Sequence, residues 1–96
     1  MAEHELKCWP VGFDAVRRGE KTHEFRKDDR GFEVGDTLLL RRWVPKLDPY
    51  APDEHCPGEY TGEELTVRVA FISRGGGCHG LPRGYCVMSI APESAE

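Results

Sequence analysis

The stretch Gly19-Glu20-Lys21-Thr22-His23-Glu24-Phe25-Arg26-Lys27 separates a short helical pattern from a strand. Gly19 ends the helical pattern, and Lys21 and Thr22 follow at once. Glu24 and Arg26 then alternate with Phe25, the pattern of a half-buried strand. Side chains two apart on a strand share a face. Thr22, Glu24 and Arg26 therefore face one way, and His23, Phe25 and Lys27 the other, with Phe25 expected on the core side. A carboxylate, two cations and a hydroxyl lie between Lys21 and Arg26. Such a set can hold an anion or the polar edge of a base, or move a proton.

Upstream, His4 to Trp9 reads as a first strand with Leu6 inward and Lys7 outward. Pro10 can open a helix, because its missing N–H would have no partner there. Phe13, Val16 and Val11 form its apolar stripe. Arg17 and Arg18 sit in the last turn, where cations suit the helix dipole. Gly19 fits the left-handed position just past the end. A helix of about two turns depends on packing more than on propensity.

Downstream, Asp28-Asp29-Arg30-Gly31 and Gly35-Asp36 are turn signals. Thr37 to Val44 is the most apolar segment and is expected as a central strand. Leu65 to Ile72 alternates, with Leu65, Val67, Val69 and Phe71 on one face, and should pair antiparallel with it. Prolines at 45, 49, 52 and 57 make 45–64 a long loop or insertion, with Tyr60-Thr61-Gly62 turning into the next strand. Loops of that length are functional or mobile. Ser73 to Gly84 is a glycine-rich second loop, Tyr85 to Ile90 a last strand, and 91–96 a flexible tail. The expectation is a single α+β domain over residues 1–90. It is a small barrel-like sheet of about five to six strands, with one short helix after the first.

Composition limits the function. Ninety-six residues make one domain. A net charge of −4 argues against a general nucleic-acid coat, so such contact needs a local basic patch. Lys21, Arg26, Lys27 and Arg30 supply one within ten residues. No run approaches the roughly 18 apolar residues that span a bilayer. The acidic N-terminus lacks the apolar core of a signal peptide. A cytoplasmic setting is therefore expected, with Cys8, Cys56, Cys78 and Cys86 as thiols. None of them forms a C-x-x-C pair.

Taken together, the leading strand, short helix, G-x-K-T-x-E-x-R run and Gly-Asp turn before an apolar strand resemble the ASCH domain. That domain is a compact β-barrel of the PUA-like superfamily. The likeness rests on His4-Glu5-Leu6-Lys7, Trp9-Pro10, Gly19 to Lys27, Arg30, Val34-Gly35-Asp36, Gly58-Glu59-Tyr60-Thr61-Gly62 and Gly84 to Ile90. It is closest to a small ASCH-like branch from bacteria and phages, and it implies RNA or nucleotide binding. A similar enzyme branch removes the acyl group of N4-acetylcytidine with a lysine that matches Lys21. That branch carries threonine where this chain has Glu24, and its later glutamate has no secure match here.

The leading expectation is thus an RNA- or nucleotide-binding cleft formed by Lys7, Lys21, Thr22, Glu24, Arg26 and Arg30, with Tyr85 as a stacking ring. If the protein is an enzyme, an amidohydrolase or ribonuclease, Lys21 and Glu24 are its catalytic pair. A third reading is a protein-interaction domain using the 45–64 loop. Trp9 and Trp43 are expected in core or rim packing, because stacking needs a solvent-facing ring beside the patch. Ser73, Arg74 and Arg83 flank the glycine loop and could reach a ligand. His55-Cys56 and Cys78-His79 are ligand types for zinc, but adjacent ligands fit one tetrahedron poorly. No metal or cofactor is expected.

Overall fold

The computed structural model describes residues 1–46, 57–76 and 80–93. Five strands and one helix follow in the order β1 (Glu3–Cys8), α1 (Pro10–Arg17), β2 (His23–Lys27), β3 (Thr37–Pro45), β4 (Gly58–Arg74) and β5 (Tyr85–Pro92). They form a single sheet ordered β1-β3-β4-β5-β2. The sheet curls into a half-barrel, and its free edges, β1 and β2, are also the two strands that flank α1 in sequence. The β1–β3 pair is parallel, with Leu6 beside Leu40. The other pairs are antiparallel. Thr37 to Val44 is a central strand as expected, and it pairs antiparallel with the Leu65 segment through Leu40 and Leu65.

Leu6, Phe13, Phe32, Leu38, Leu40, Val67, Val69 and Met88 fill the concave side. α1 contributes Phe13 and lies over β3. It begins at Pro10 and ends where Gly19, at φ 81°, donates to the Val16 carbonyl at 3.0 Å. A left-handed backbone of this kind strains any residue with a Cβ. The chain thus turns through Lys21 and Thr22 into β2, which starts at His23. The only described helix has eight residues, too few to cross a membrane.

Three expectations need correction. First, residues 58–64 are strand and not loop; β4 begins at Gly58, and the prolines precede it. Opposite the β3 interval Arg41 to Trp43 lies the longer β4 interval Tyr60 to Glu64. Gly62 absorbs this irregularity at φ 94°. Residues 47–56 lie outside the described residues. Second, Phe71 leaves the face of Val67 and Val69. Between Val69 and Phe71, β4 takes two steps against the single step from Ile90 to Ser89 on β5. This bulge reverses the alternation and leaves Phe71 62% exposed. Ser73 and Arg74 also belong to β4, and Ala91 and Pro92 to β5. Third, the two faces of β2 are exchanged: Glu24 is the buried residue, at 3% exposure, and Phe25 is 51% exposed. β2 is an edge strand whose inner face meets a polar cleft. Two cations compensate the buried carboxylate there, as burial of a charge requires.

The Gly35-Asp36 turn carries an unforeseen structural carboxylate. Asp36 is buried and accepts hydrogen bonds from the Ala2 amide (2.9 Å), His4 Nε2 (2.9 Å) and the Glu33 amide (3.0 Å). It ties the N-terminal strand to the turn that launches β3.

Candidate functional site

The free edges of the half-barrel meet at an open cleft of about 510 Å³. Lys7, Cys8 and Trp9 from β1 and its exit line it, with Gly12 from α1, Lys21 from the linker, Glu24, Phe25 and Arg26 from β2, and Arg30 from the following turn. Four cations and one carboxylate thus line the same cleft on a chain of net charge −4. The topology explains this convergence. β1 and β2 are linked by a short helix but lie at opposite ends of the sheet order, so curling brings their outer edges face to face.

Glu24 is the hub. Its Oε1 accepts from Lys21 Nζ at 3.2 Å, and its Oε2 accepts from Arg26 Nε at 2.6 Å. Arg26 also donates from Nη2 to the Lys7 carbonyl at 2.7 Å. Arg30 donates from Nη1 to the Glu5 carbonyl at 2.7 Å. Both arginines therefore satisfy carbonyls of the β1 edge while keeping other N–H donors. Lys7 lies over the Trp43 ring, 4.1 Å from its centroid. Gly12 faces the cleft, where a Cβ would make ordinary contact with Lys21 Nζ at 3.6 Å and Cys8 Sγ at 3.8 Å. The Cys8 thiol is buried, and its pKa is raised, first by burial and then by the charge of Glu24. Lys21 and Arg26 act in the opposite direction.

Of the residues expected at a site, Lys7, Lys21, Glu24, Arg26 and Arg30 share this cleft. Thr22 lies at a second cavity of about 160 Å³, between the end of α1 and strands β4 and β5, which Lys21 also reaches. Tyr85 is outside the cleft lining and stacks on Phe25, centroids 5.5 Å apart and planes within 8°. Arg74 is held by Asp28, at 2.7 Å, and by the Phe32 carbonyl. Lys27 lies on the outer face. Cys78 and His79 of the glycine loop, together with His55 and Cys56, lie outside the described residues. Of the two tryptophans expected in core or rim packing, Trp9 is at the rim: it is 52% exposed, lines the cleft, and leans on Trp43 at 5.8 Å. Its place just before Pro10 was the available signal, because a residue before a helix-opening proline stays at the helix entrance.

Chemically, the site offers charged donors for phosphate or carboxylate oxygens, a fixed acceptor, and an exposed indole. These features define a small α+β half-barrel domain with a cationic cleft where its sheet edges meet. The chain belongs to the family described as domain of unknown function DUF3850, whose profile matches residues 3–90. It is also 37% identical over 70 residues to a protein of Escherichia phage P2 described as "Uncharacterized 12.9 kDa protein in GpA 3'region". That match covers 73% of this chain and 53% of the phage protein, so the chain spans about half of its relative's length.

Proposed function

We propose that this domain binds RNA or a nucleotide-like ligand in the cleft between β1 and β2. The observation that carries the reading is the convergence of Lys7, Lys21, Arg26 and Arg30 around buried Glu24, beside exposed Trp9. The volume lies within the roughly 300–1,000 Å³ of small-ligand sites. The cations suit phosphate oxygens, the Trp9 face suits a base, and a patch this small suits a single-stranded segment rather than a long duplex. Affiliation with the ASCH domains of the PUA-like superfamily belongs to the same proposal. The curled sheet, the helix after β1 and the placement of Lys21 support it.

The contact between Lys21 and Glu24 also favours a second reading, catalysis on a modified nucleoside or RNA, with Lys21 as nucleophile or base. Against it, both Glu24 oxygens are engaged by cations, which suits a positioning carboxylate better than a free base.

Binding of adenosine 5′-monophosphate and of short single-stranded RNA, measured across salt concentrations, tests the first reading. Lys21→Ala should weaken both and lower the salt slope for RNA by roughly 0.7. Unchanged affinity and slope in Lys21→Ala and Lys7→Ala would refute it. Turnover of N4-acetylcytidine or cleavage of RNA, lost in Lys21→Ala, would establish the catalytic reading instead.

A further inference from the structure

The outer face of the β2 edge carries a feature that the cleft does not account for. Phe25 is half exposed although it sits mid-strand, and Tyr85 lies flat against it. The two are diagonal neighbours, because Phe25 pairs with Val87 and Lys27 with Tyr85. Such neighbours reach one another when the side chains are aromatic. The next strand adds Phe71, turned outward by its bulge and aligned through Ser89 with His23. His23, Phe25 and Lys27 on β2, Tyr85, Val87 and Ser89 on β5, and Phe71 and Ser73 on β4 share this face. That patch holds aromatic rings and a lysine and no carboxylate, on a chain with an excess of acids. Phe25 also lines the rim of the cationic cleft. The aromatic patch and the phosphate-binding groups are therefore continuous across the single strand β2.

We propose that Phe25, stacked on Tyr85, is a second base-stacking platform. A single-stranded RNA would leave the cleft over the β2 edge and lay its next base on this ring. The inference rests on the reading of the cleft as a nucleotide site, and it specifies a segment of at least two nucleotides rather than a free nucleotide. The physical logic is that of sequence-tolerant single-strand binding: cations follow the backbone, and π-faces take successive bases. Phe25 is already immobilised by Tyr85, so stacking a base on it orders little that is not ordered in the free protein. Lys27, on the same face, is placed for the following phosphate.

The test compares adenosine 5′-monophosphate with single-stranded tetra-adenylate RNA on the whole chain, using wild type, Phe25→Ala and Phe25→Leu. The leucine variant keeps apolar bulk and removes the π-face, and thermal unfolding confirms that each variant folds. Tetra-adenylate should bind wild type at least about tenfold more tightly than the mononucleotide. Both variants should weaken tetra-adenylate by roughly fivefold to a hundredfold, and weaken the mononucleotide less. Equal binding of the two probes, or a tetra-adenylate affinity insensitive to both variants, overturns the second platform while leaving the cleft reading intact. Absence of binding by either probe overturns both.

Discussion

Arg26 donates from Nη2 to the carbonyl of Lys7 at 2.7 Å, joining two strands that lie at opposite ends of the sheet. Arg30 does the same two residues along, at the Glu5 carbonyl. Carbonyls two apart on a strand point to the same edge. An exposed edge of unpaired carbonyls is a pairing hazard, and here guanidinium groups occupy it. The arrangement closes the half-barrel with side chains in place of a backbone ladder, leaving a cleft where a closed barrel would have a seam.

Arg26→Lys should therefore destabilise the fold although it keeps the charge. An ammonium cannot span Glu24 and the Lys7 carbonyl in one planar fork. Loss of one charged hydrogen bond costs about 1.5–3 kcal/mol. In urea the midpoint should fall with an unchanged slope, since the same surface is exposed on unfolding.

Glu24→Gln separates structure from recognition. The buried carboxylate holds Lys21 and Arg26 in place, so its loss should lower stability by about 1.5–3 kcal/mol. It also removes the one negative charge among the residues lining the cleft. Affinity for a nucleoside monophosphate should then rise at low salt, as measured by calorimetric titration. A fall in affinity with the fold intact would show that Glu24 serves recognition, by positioning Lys21 and Arg26 or by touching the ligand, and that its negative charge is not a net cost to binding.

The sequence made most of this fold legible because its signals were local. Pro10 and Gly19 bracket α1, and the apolar run of Thr37 to Val44 marks a central strand. Phe25 and Phe71 were misplaced for different reasons. Alternation in an unbroken strand tells which residues share a face, but tertiary context decides which face is inside, and a bulge breaks the alternation itself. An edge strand beside a polar cleft buried Glu24, and the bulge between Val69 and Phe71 reversed the pattern halfway along β4. Spacing grouped Lys21, Arg26, Lys27 and Arg30, and of these the cleft gathers all but Lys27, which the strand period turns to the outer face. For Trp9 the place before Pro10 was the one local signal, and the extent of its exposure depends on how α1 departs from β1.

Cys8 and Cys86 should be poor nucleophiles in the native protein. Burial is the first cause that raises each thiol pKa, and the charge of Glu24 adds to it at Cys8. Only the thiolate reacts. Iodoacetamide at neutral pH should therefore label these two residues at the rate of global unfolding, with rapid labelling in denaturant. Peptide-level mass spectrometry distinguishes them from Cys56 and Cys78. Glu24→Gln, which lowers stability, should speed the labelling of Cys8 and Cys86 together, since both wait on the same global opening.

Asp36 should make stability depend on acid pH. The Ala2 amide, and then His4 and the Glu33 amide, donate to its carboxylate and hold its pKa below the ordinary value of 3.8, against the opposing effect of burial. A carboxyl whose pKa falls on folding contributes stability above its unfolded pKa, and that contribution is lost as pH falls through the folded value. Wild type should therefore lose this contribution below about pH 4. Asp36→Asn cannot accept from the two amides and His4 with the strength of a carboxylate. At pH 7 it should be less stable by about 1.5–3 kcal/mol. Urea midpoints measured from pH 7 down to about pH 2.5 should converge as the wild-type carboxyl is protonated. A gap that stayed constant over that range would mean that the cost is steric and that the ionised form of Asp36 adds nothing.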